Sequence, residues 1–190
     1  MKALCVYCGA NPGLSPRYGE AARELARGMV ERNIALVYGG GNVGLMGVIA
    51  DEVLALGGDV TGVIPSALVE REVAHMGLTR QFIVKDMHER KAMMAQLSDG
   101  FIAMPGGMGT LEELFEMLTW SQLGIHAKPI GLLNVDGFYD SLTGFLAHAQ
   151  QEGFVQQRHA GLLMAEADPH ALLARFAPSP VTKNNYQNII

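Results

Sequence analysis

Short apolar runs alternate with longer amphipathic segments along most of this chain. Between the runs, apolar residues recur at helical spacing. The pattern predicts strands at residues 3–7, 34–38, 60–64, 81–84, 101–104 and 130–134. It predicts helices at residues 15–33, 43–56, 86–98, 110–123 and 139–153. A weaker strand at 161–164 and a helix at 169–176 complete the series.

Strands that alternate with helices predict an α/β fold. We expect a mainly parallel sheet with helices on both faces, which gives three αβα layers. The length of 190 residues suits one domain, which we assign to residues 1–176. Residues 177–190 contain Pro and Asn and end in apolar residues, so we expect a C-terminal tail that forms a surface arm, able to dock on a partner subunit.

The run from Met104 to Glu113 is the most informative stretch of the sequence. A buried strand precedes it, and apolar residues at helical spacing follow it, so it reads as strand, glycine-rich turn and helix. Glycines allow close approach of a ligand, and the free N–H groups at a helix start favour an anion such as phosphate. The carboxylates Glu112 and Glu113 follow at once, which indicates chemistry on a phosphorylated small molecule.

Two further glycine loops follow strands, at residues 8–13 and 39–44. Because ligands of such sheets bind at the carboxyl ends of the strands, three loops at one edge predict an extended site. Gly39, Gly41 and Gly44 fit the dinucleotide fingerprint G-x-G-x-x-G. However, they follow the second strand, and Asp59 begins its strand instead of ending it. We therefore reject an NAD(P) enzyme and expect a loop that faces phosphate or ribose.

One helix carries a charge on its apolar face. On the 86–98 segment, Arg90 falls in the middle of a stripe and Lys91 falls at its border; the stripe consists of Met87, Met93, Met94 and Leu97. An inward arginine is costly unless it is paired. A structural ion pair or a snorkelling side chain would explain it, and so would contact with a substrate phosphate or carboxylate. Glu113 lies off the apolar stripe of its own helix, so periodicity alone predicts that it is solvated or near a subunit interface.

Composition narrows the classes of function. A net charge of −5 argues against a nucleic-acid-binding protein, and no apolar stretch is long enough to cross a bilayer. The N-terminus reads as a strand rather than a signal region. Cys5 and Cys8 lie along a strand and point to opposite faces, as ordinary buried thiols in a reducing cytoplasm would. The histidines show no metal-ligand spacing, so we expect no metal and no cofactor.

The motifs resemble those of a known family. Met87-His-Glu-Arg-Lys91, followed by Pro105-Gly-Gly-Met-Gly-Thr-Leu-Glu-Glu113, is similar to the paired signature of the LONELY GUY family. Its pattern PGGxGTxxE matches in full, with Met108 where plant members usually carry Tyr. The likeness covers roughly residues 3 to 165. These proteins are cytokinin riboside 5′-monophosphate phosphoribohydrolases, long mislabelled as lysine decarboxylase-like.

The resemblance implies a Rossmann-like fold, usually a homodimer, with the site near the dimer interface. It implies hydrolysis of the N-glycosidic bond of AMP or of N6-prenylated adenosine monophosphates, which gives free base and ribose 5-phosphate. By motif, Arg90 and Glu113 match the catalytic pair. The positions that match substrate contacts are Glu72, Lys91, Gly106, Gly107, Met108, Gly109, Thr110, Leu111, Glu112 and Thr119.

Two other functions compete with this one. Amino-acid decarboxylation would need a pyridoxal phosphate lysine, for which the sequence offers no convincing site. A nucleotide- or cofactor-binding carrier without catalysis would have no evident need for both Arg90 and Glu113. The sequence leaves open whether the preferred substrate is prenylated, whether the role is hormone production or nucleotide salvage, and whether the oligomer is larger than a dimer.

Overall fold

The computed structural model describes residues 1–69 and 74–176. These residues form one sheet of seven strands in the order β4-β3-β2-β1-β5-β6-β7, and every neighbouring pair is parallel. The strands are β1 (Ala3–Tyr7), β2 (Ala35–Tyr38), β3 (Val60–Pro65), β4 (Arg80–Val84), β5 (Phe101–Ala103), β6 (Ile130–Leu133) and β7 (Leu163–Glu166). The predicted strands are confirmed, although the last begins later than expected because residues 157–162 form a 3-10 helix.

Helices cover both faces of the sheet. They are α1 (Pro16–Glu31), α2 (Gly44–Ala55), α3 (Met87–Leu97), α4 (Met108–Gln122), α5 (Asp140–Gln151) and α6 (Pro169–Arg175). One buried apolar cluster joins α1, α2 and α6 to the sheet, and a second joins α3 and α4 to the opposite face. The predicted three-layer α/β architecture is confirmed. The predicted tail, 177–190, lies outside the described residues. Among the helices that are described, none is long and apolar enough to cross a membrane.

Strand β1 shows how the alternation of side chains builds two cores. Leu4 and Val6 pack into the first cluster, while Cys5 and Tyr7 pack into the second. Cys8, just past the strand, returns to the first cluster, so the two cysteines face opposite sides as predicted. Both are free and buried, and burial raises the pKa of each thiol. They are packing residues, because an inert neutral thiol is a poor nucleophile.

The sheet topology places a crevice at its centre. From β1 the chain winds outward through β2, β3 and β4, then returns to add β5, β6 and β7 on the other side of β1. The connections after β1 and β5 therefore diverge, and ligands of open α/β sheets bind at such a switch point. The loops at residues 8–13 and 105–109 flank this crevice.

Candidate active site

A cleft of about 350 Å³ opens at this switch point, beyond the carboxyl ends of β1 and β5. Much of its wall is formed by the first and third glycine loops in chain order, at residues 8–13 and 105–109. The buried side chains of Arg90, Thr110 and Glu113 complete that part of the wall. The remaining wall is mostly apolar and consists of Tyr18, Leu45, Met46 and Phe138. The cleft thus combines an apolar side with a small number of converging charged and polar groups, as small-molecule sites do.

The glycine loops pack on one another so closely that side chains would not fit between them. The Gly9 N–H donates to the Pro105 carbonyl at 3.1 Å. A Cβ on Gly106 would lie 2.9 Å from the backbone nitrogen of Gly9 in the first loop, and 2.1 Å from the Thr110 hydroxyl oxygen. Gly44, at φ +58°, would place a Cβ 2.3 Å from the carbonyl carbon of Ala10. These close approaches join all three loops into one rigid edge.

The second loop, residues 39–44, supports Arg90 through its backbone. None of its residues, 39–44, lines the cleft, although Leu45 and Met46 just beyond it do. That this loop faces phosphate or ribose stays a prediction. The loop packs on the first loop through Gly44 and Ala10, and its Gly39 carbonyl accepts a hydrogen bond from Arg90.

Helix α4 begins at the cleft without a side-chain cap. Its N-cap is Gly107, whereas Asp86 caps α3 by accepting from the Glu89 N–H at 2.9 Å. A Cβ on Gly107 or Gly109 would have no atom within 4 Å, so these glycines face open space. The N–H groups of the first turn of a helix lack intrahelical partners. Their dipoles favour an anion, and the start of α4 can therefore hold a phosphate.

Arg90 lies in the cleft, fixed by backbone carbonyls. Its residue exposure is 5%. Its Nε donates to the Val63 carbonyl at 3.1 Å, and its Nη2 donates to the Gly39 carbonyl at 3.0 Å. A Cβ on Gly39 would lie 2.0 Å from Nη2, so the arginine fits only because residue 39 is glycine. The inward direction predicted for Arg90 is confirmed, and a snorkelling side chain is excluded because the guanidinium itself is buried.

Glu113 also lines the cleft and is only 9% exposed. Of the two positions that periodicity predicts, the solvated one is wrong, and a position near a subunit interface stays a prediction. Helix α4 turns Thr110, Glu113 and Met117 inward, while much of the predicted apolar stripe is only half-buried. One half-buried side of that stripe, Phe115 and Leu118, lines a separate apolar groove against α5. The signal that could have located Glu113 is its position one turn after Thr110 in the glycine motif.

The negative charge of Glu113 affects the ionisable groups of β1 and the loop that follows it. Burial is the main cause that raises the pKa of the Tyr7 hydroxyl and of both thiols, and the Glu113 carboxylate adds to each shift. These groups stay neutral and protonated. The floor of the cleft therefore carries no competing negative charge.

The structure brings six of the predicted site residues together in the cleft and places five others outside it. The cleft is lined by Arg90, Gly106, Gly107, Gly109, Thr110 and Glu113. It is not lined by Lys91, Met108, Leu111, Glu112 or Thr119. Met108 is 83% exposed, and the Thr119 hydroxyl donates to the Phe115 carbonyl at 2.7 Å. Glu72 lies outside the described residues.

Two further groups of residues were missed or misplaced by the sequence reasoning. Tyr18 and Phe138 form an aromatic side of the cleft, with ring centroids 5.8 Å apart in an edge contact, and no motif marks them. On α3 the buried positions are Arg90, Lys91, Met94 and Ala95. Two members of the predicted stripe, Met87 and Leu97, are exposed instead, because α3 turns its charged pair toward the cleft and α4.

No cluster able to hold a metal occurs in residues 1–69 and 74–176, where no three His, Cys, Asp or Glu side chains come together. The chemistry available in the described cleft is therefore that of a buried arginine, a buried carboxylate and a helix start. Such a set can bind a phosphate, stabilise a cation and orient water.

Comparison with solved structures shows the same fold. The molybdenum cofactor carrier protein from Chlamydomonas reinhardtii matches with a TM-score of 0.69 at 20% identity, over 91% of this chain and 94% of that one. The molybdenum cofactor binding protein from Rippkaea orientalis matches with a TM-score of 0.69 at 21% identity, over 92% and 95%. At this identity the likeness concerns the fold alone.

Comparison of sequences shows the family. The family model described as "possible lysine decarboxylase" matches residues 46–176. The probable cytokinin riboside 5′-monophosphate phosphoribohydrolase LOGL1 of Oryza sativa subsp. japonica is 52% identical, over 90% of this chain and 77% of its own length. The cytokinin riboside 5′-monophosphate phosphoribohydrolase LOG2 of Arabidopsis thaliana is 50% identical, over 90% and 81%. The chain therefore belongs to the family of cytokinin riboside 5′-monophosphate phosphoribohydrolases.

Proposed function

We propose that this protein hydrolyses the N-glycosidic bond of adenosine 5′-monophosphates and releases free base and ribose 5-phosphate. One observation carries the proposal. Buried Arg90 and buried Glu113 line one cleft with the uncapped start of α4, in a chain about half identical to named phosphoribohydrolases. A carrier would need the anion site, but it would not need a buried carboxylate beside it.

The phosphate is held at the start of α4 in this proposal. The backbone N–H groups of residues 107–110 and the hydroxyl of Thr110 donate to its oxygens. Thr110 is almost fully buried and packs on Gly106, so its hydroxyl is fixed against the loop. Binding at this point places the ribose about one helical turn deeper, near Glu113.

Glu113 and Arg90 then act on opposite charges. As the base departs, positive charge develops on the ribose, and the Glu113 carboxylate stabilises it and orients the attacking water. Arg90 stabilises negative charge on the leaving base or on the phosphate. Its guanidinium is fixed by the Val63 and Gly39 carbonyls before substrate arrives, so no reorganisation is needed during the reaction.

The proposal extends to the oligomeric state, the partners and the location of the enzyme. We expect a homodimer that acts on a small nucleotide in the cytoplasm, without nucleic acid, membrane or cofactor. The apolar wall of Tyr18, Leu45, Met46 and Phe138 offers surface for an uncharged part of the substrate. Light scattering coupled to gel filtration measures the oligomeric state directly.

The proposal is tested by a side-by-side assay on AMP and isopentenyladenosine 5′-monophosphate, with free base and ribose 5-phosphate both quantified. Glu113→Gln keeps the size of the side chain and removes its charge, so we expect kcat to fall by about 10²–10⁴-fold while AMP still binds. Glu152→Gln, at an exposed position after α5, is the matched control and should leave kcat unchanged. Tight AMP binding with no base release by the native protein would support a carrier instead.

A further inference from the structure

Lys91 has contacts in the structure that its family match did not suggest. The residue is 5% exposed and does not line the cleft. Its Nζ forms an ion pair with Glu112 and a second one, at 3.2 Å, with Glu116. Both carboxylates belong to α4, whereas Lys91 belongs to α3. The amine therefore connects two helices rather than reaching toward the cleft.

The burial of Lys91 explains why its amine is paired with two carboxylates. A buried ammonium is stable only when it is paired, and removing one partner of such a pair is strongly destabilising. Glu112 and Glu116 are four residues apart and lie one above the other on α4, so a single amine can contact both. Burial alone lowers the pKa of the Lys91 amine, but the hydrogen bonds to Glu112 and Glu116 outweigh it and raise the pKa overall. The amine stays charged.

The cluster is adjacent in sequence to the two residues assigned to catalysis. Lys91 follows Arg90 on α3, and Glu112 precedes Glu113 on α4. Neighbouring residues of a helix are held at a fixed rotation and rise. When Lys91 contacts Glu112 and Glu116, the rotation and height of α3 against α4 are set, and so are the positions of Arg90 and Glu113.

We propose that Lys91, with Glu112 and Glu116, is a positioning clamp that fixes the relative placement of Arg90 and Glu113. The inference rests on the proposed function and extends it by assigning Lys91 and Glu116 a role outside substrate contact. A displacement of about 1 Å in a catalytic group can cost about 10²-fold in rate. Loosening the clamp should therefore lower kcat with little change in KM.

A Glu116 variant distinguishes the clamp from a role in substrate contact, because Glu116 neither lines the cleft nor matches a substrate-contact position of the family. We expect Lys91→Met to lower kcat by about 10–100-fold, and Glu116→Gln to lower it by about 3–10-fold, with KM near the native value for both. Lys91→Glu should lower kcat more than Lys91→Met does, because it places three carboxylates next to one another. The charge-swap variant Lys91→Glu with Glu116→Lys should recover most of that loss. Lys85→Met, an exposed lysine just before α3, is the matched control.

A second readout works without substrate. The Arg90 Nε–H is held by the Val63 carbonyl, so its ¹⁵N–¹H resonance, assigned through Arg90→Lys, should be distinct in the native protein. We expect it to shift or broaden in Lys91→Met and in Glu116→Gln. If the charge-swap variant does not fold, Glu116→Gln carries the test alone.

The outcomes are distinguishable. A raised KM in Lys91→Met, with native kcat and a native Arg90 resonance in Glu116→Gln, would mean that Lys91 touches substrate and would overturn the clamp. A lower melting temperature with native kcat and resonance in both variants would reduce the cluster to a stabilising contact, and would also overturn it. If the native protein released no base, the proposed function would fail, and the Arg90 resonance would still decide the clamp.

Discussion

The substitution Gly39→Ala isolates the contact between the second glycine loop and Arg90. The backbone of Gly39 is not in the left-handed region, so alanine is conformationally allowed there and only space matters. The new Cβ would lie 2.0 Å from Arg90 Nη2, 3.1 Å from its Cζ and 3.3 Å from the sulfur of Met46. The guanidinium must therefore move, and its 3.0 Å hydrogen bond to the Gly39 carbonyl cannot keep its geometry.

The magnitude follows from the size of that movement. Ordinary contact with a methyl group requires roughly 3.4 Å or more, so Nη2 must move away from its 2.0 Å position by at least about 1.4 Å. Because a displacement of about 1 Å costs about 10²-fold in rate, kcat should fall by about 10²-fold or more. In free energy of activation this is about 2.7 kcal/mol. The strained hydrogen bond from a buried charged group lowers the free energy of unfolding by about 1.5–3 kcal/mol.

The assay is base release from AMP at saturating substrate, with urea unfolding measured in parallel. Gly144→Ala is the control, because a Cβ there meets no atom within 4 Å and α5 should gain slightly in stability. A double-mutant cycle with Arg90→Ala tests the cause: once the arginine is gone, Gly39→Ala should cost little more. Native kcat in Gly39→Ala, or full additivity with Arg90→Ala, would refute the reasoning.

Two further predictions concern the support of the site and its response to pH. The buried Tyr139 hydroxyl donates to the Met104 carbonyl at 2.6 Å, so Tyr139→Phe should cost about 1–3 kcal/mol in urea unfolding; an unchanged midpoint would contradict this bond. Burial, and then the charge of Lys128, lower the pKa of His126 in the folded state. The folded protein thus takes up fewer protons than the unfolded chain, and stability present above pH 6.5 should decline as the pH falls below it. His126→Asn, which keeps an acceptor for the Lys128 N–H, should flatten that decline in thermal unfolding followed from pH 7.5 to 5.5; an equally steep decline would contradict the assignment.

Local pattern was sufficient for the elements and for one catalytic candidate. The five inner strands β1, β2, β3, β5 and β6 are largely buried on both faces, so they read as short apolar runs. The observed bounds of the first six strands differ from the predicted ones by one residue at most. The inward face of α3 was marked by Arg90, because a charge inside an apolar stripe is rare enough to be noticed. The glycine loop before α4 located the start of that helix at the ligand edge.

The sequence by itself determined the order of strands and helices, the parallel sheet and the glycine-lined edge, because these follow from local periodicity and turn chemistry. Only the tertiary structure decided which helix faces are buried beside the cleft. Helical periodicity reports burial against the apolar sheet, but Glu113 is buried in the cleft that the glycine loops line, and Lys91 is buried against carboxylates of the facing helix. Their burial depends on contacts between segments distant in the chain, and no window of sequence contains both partners.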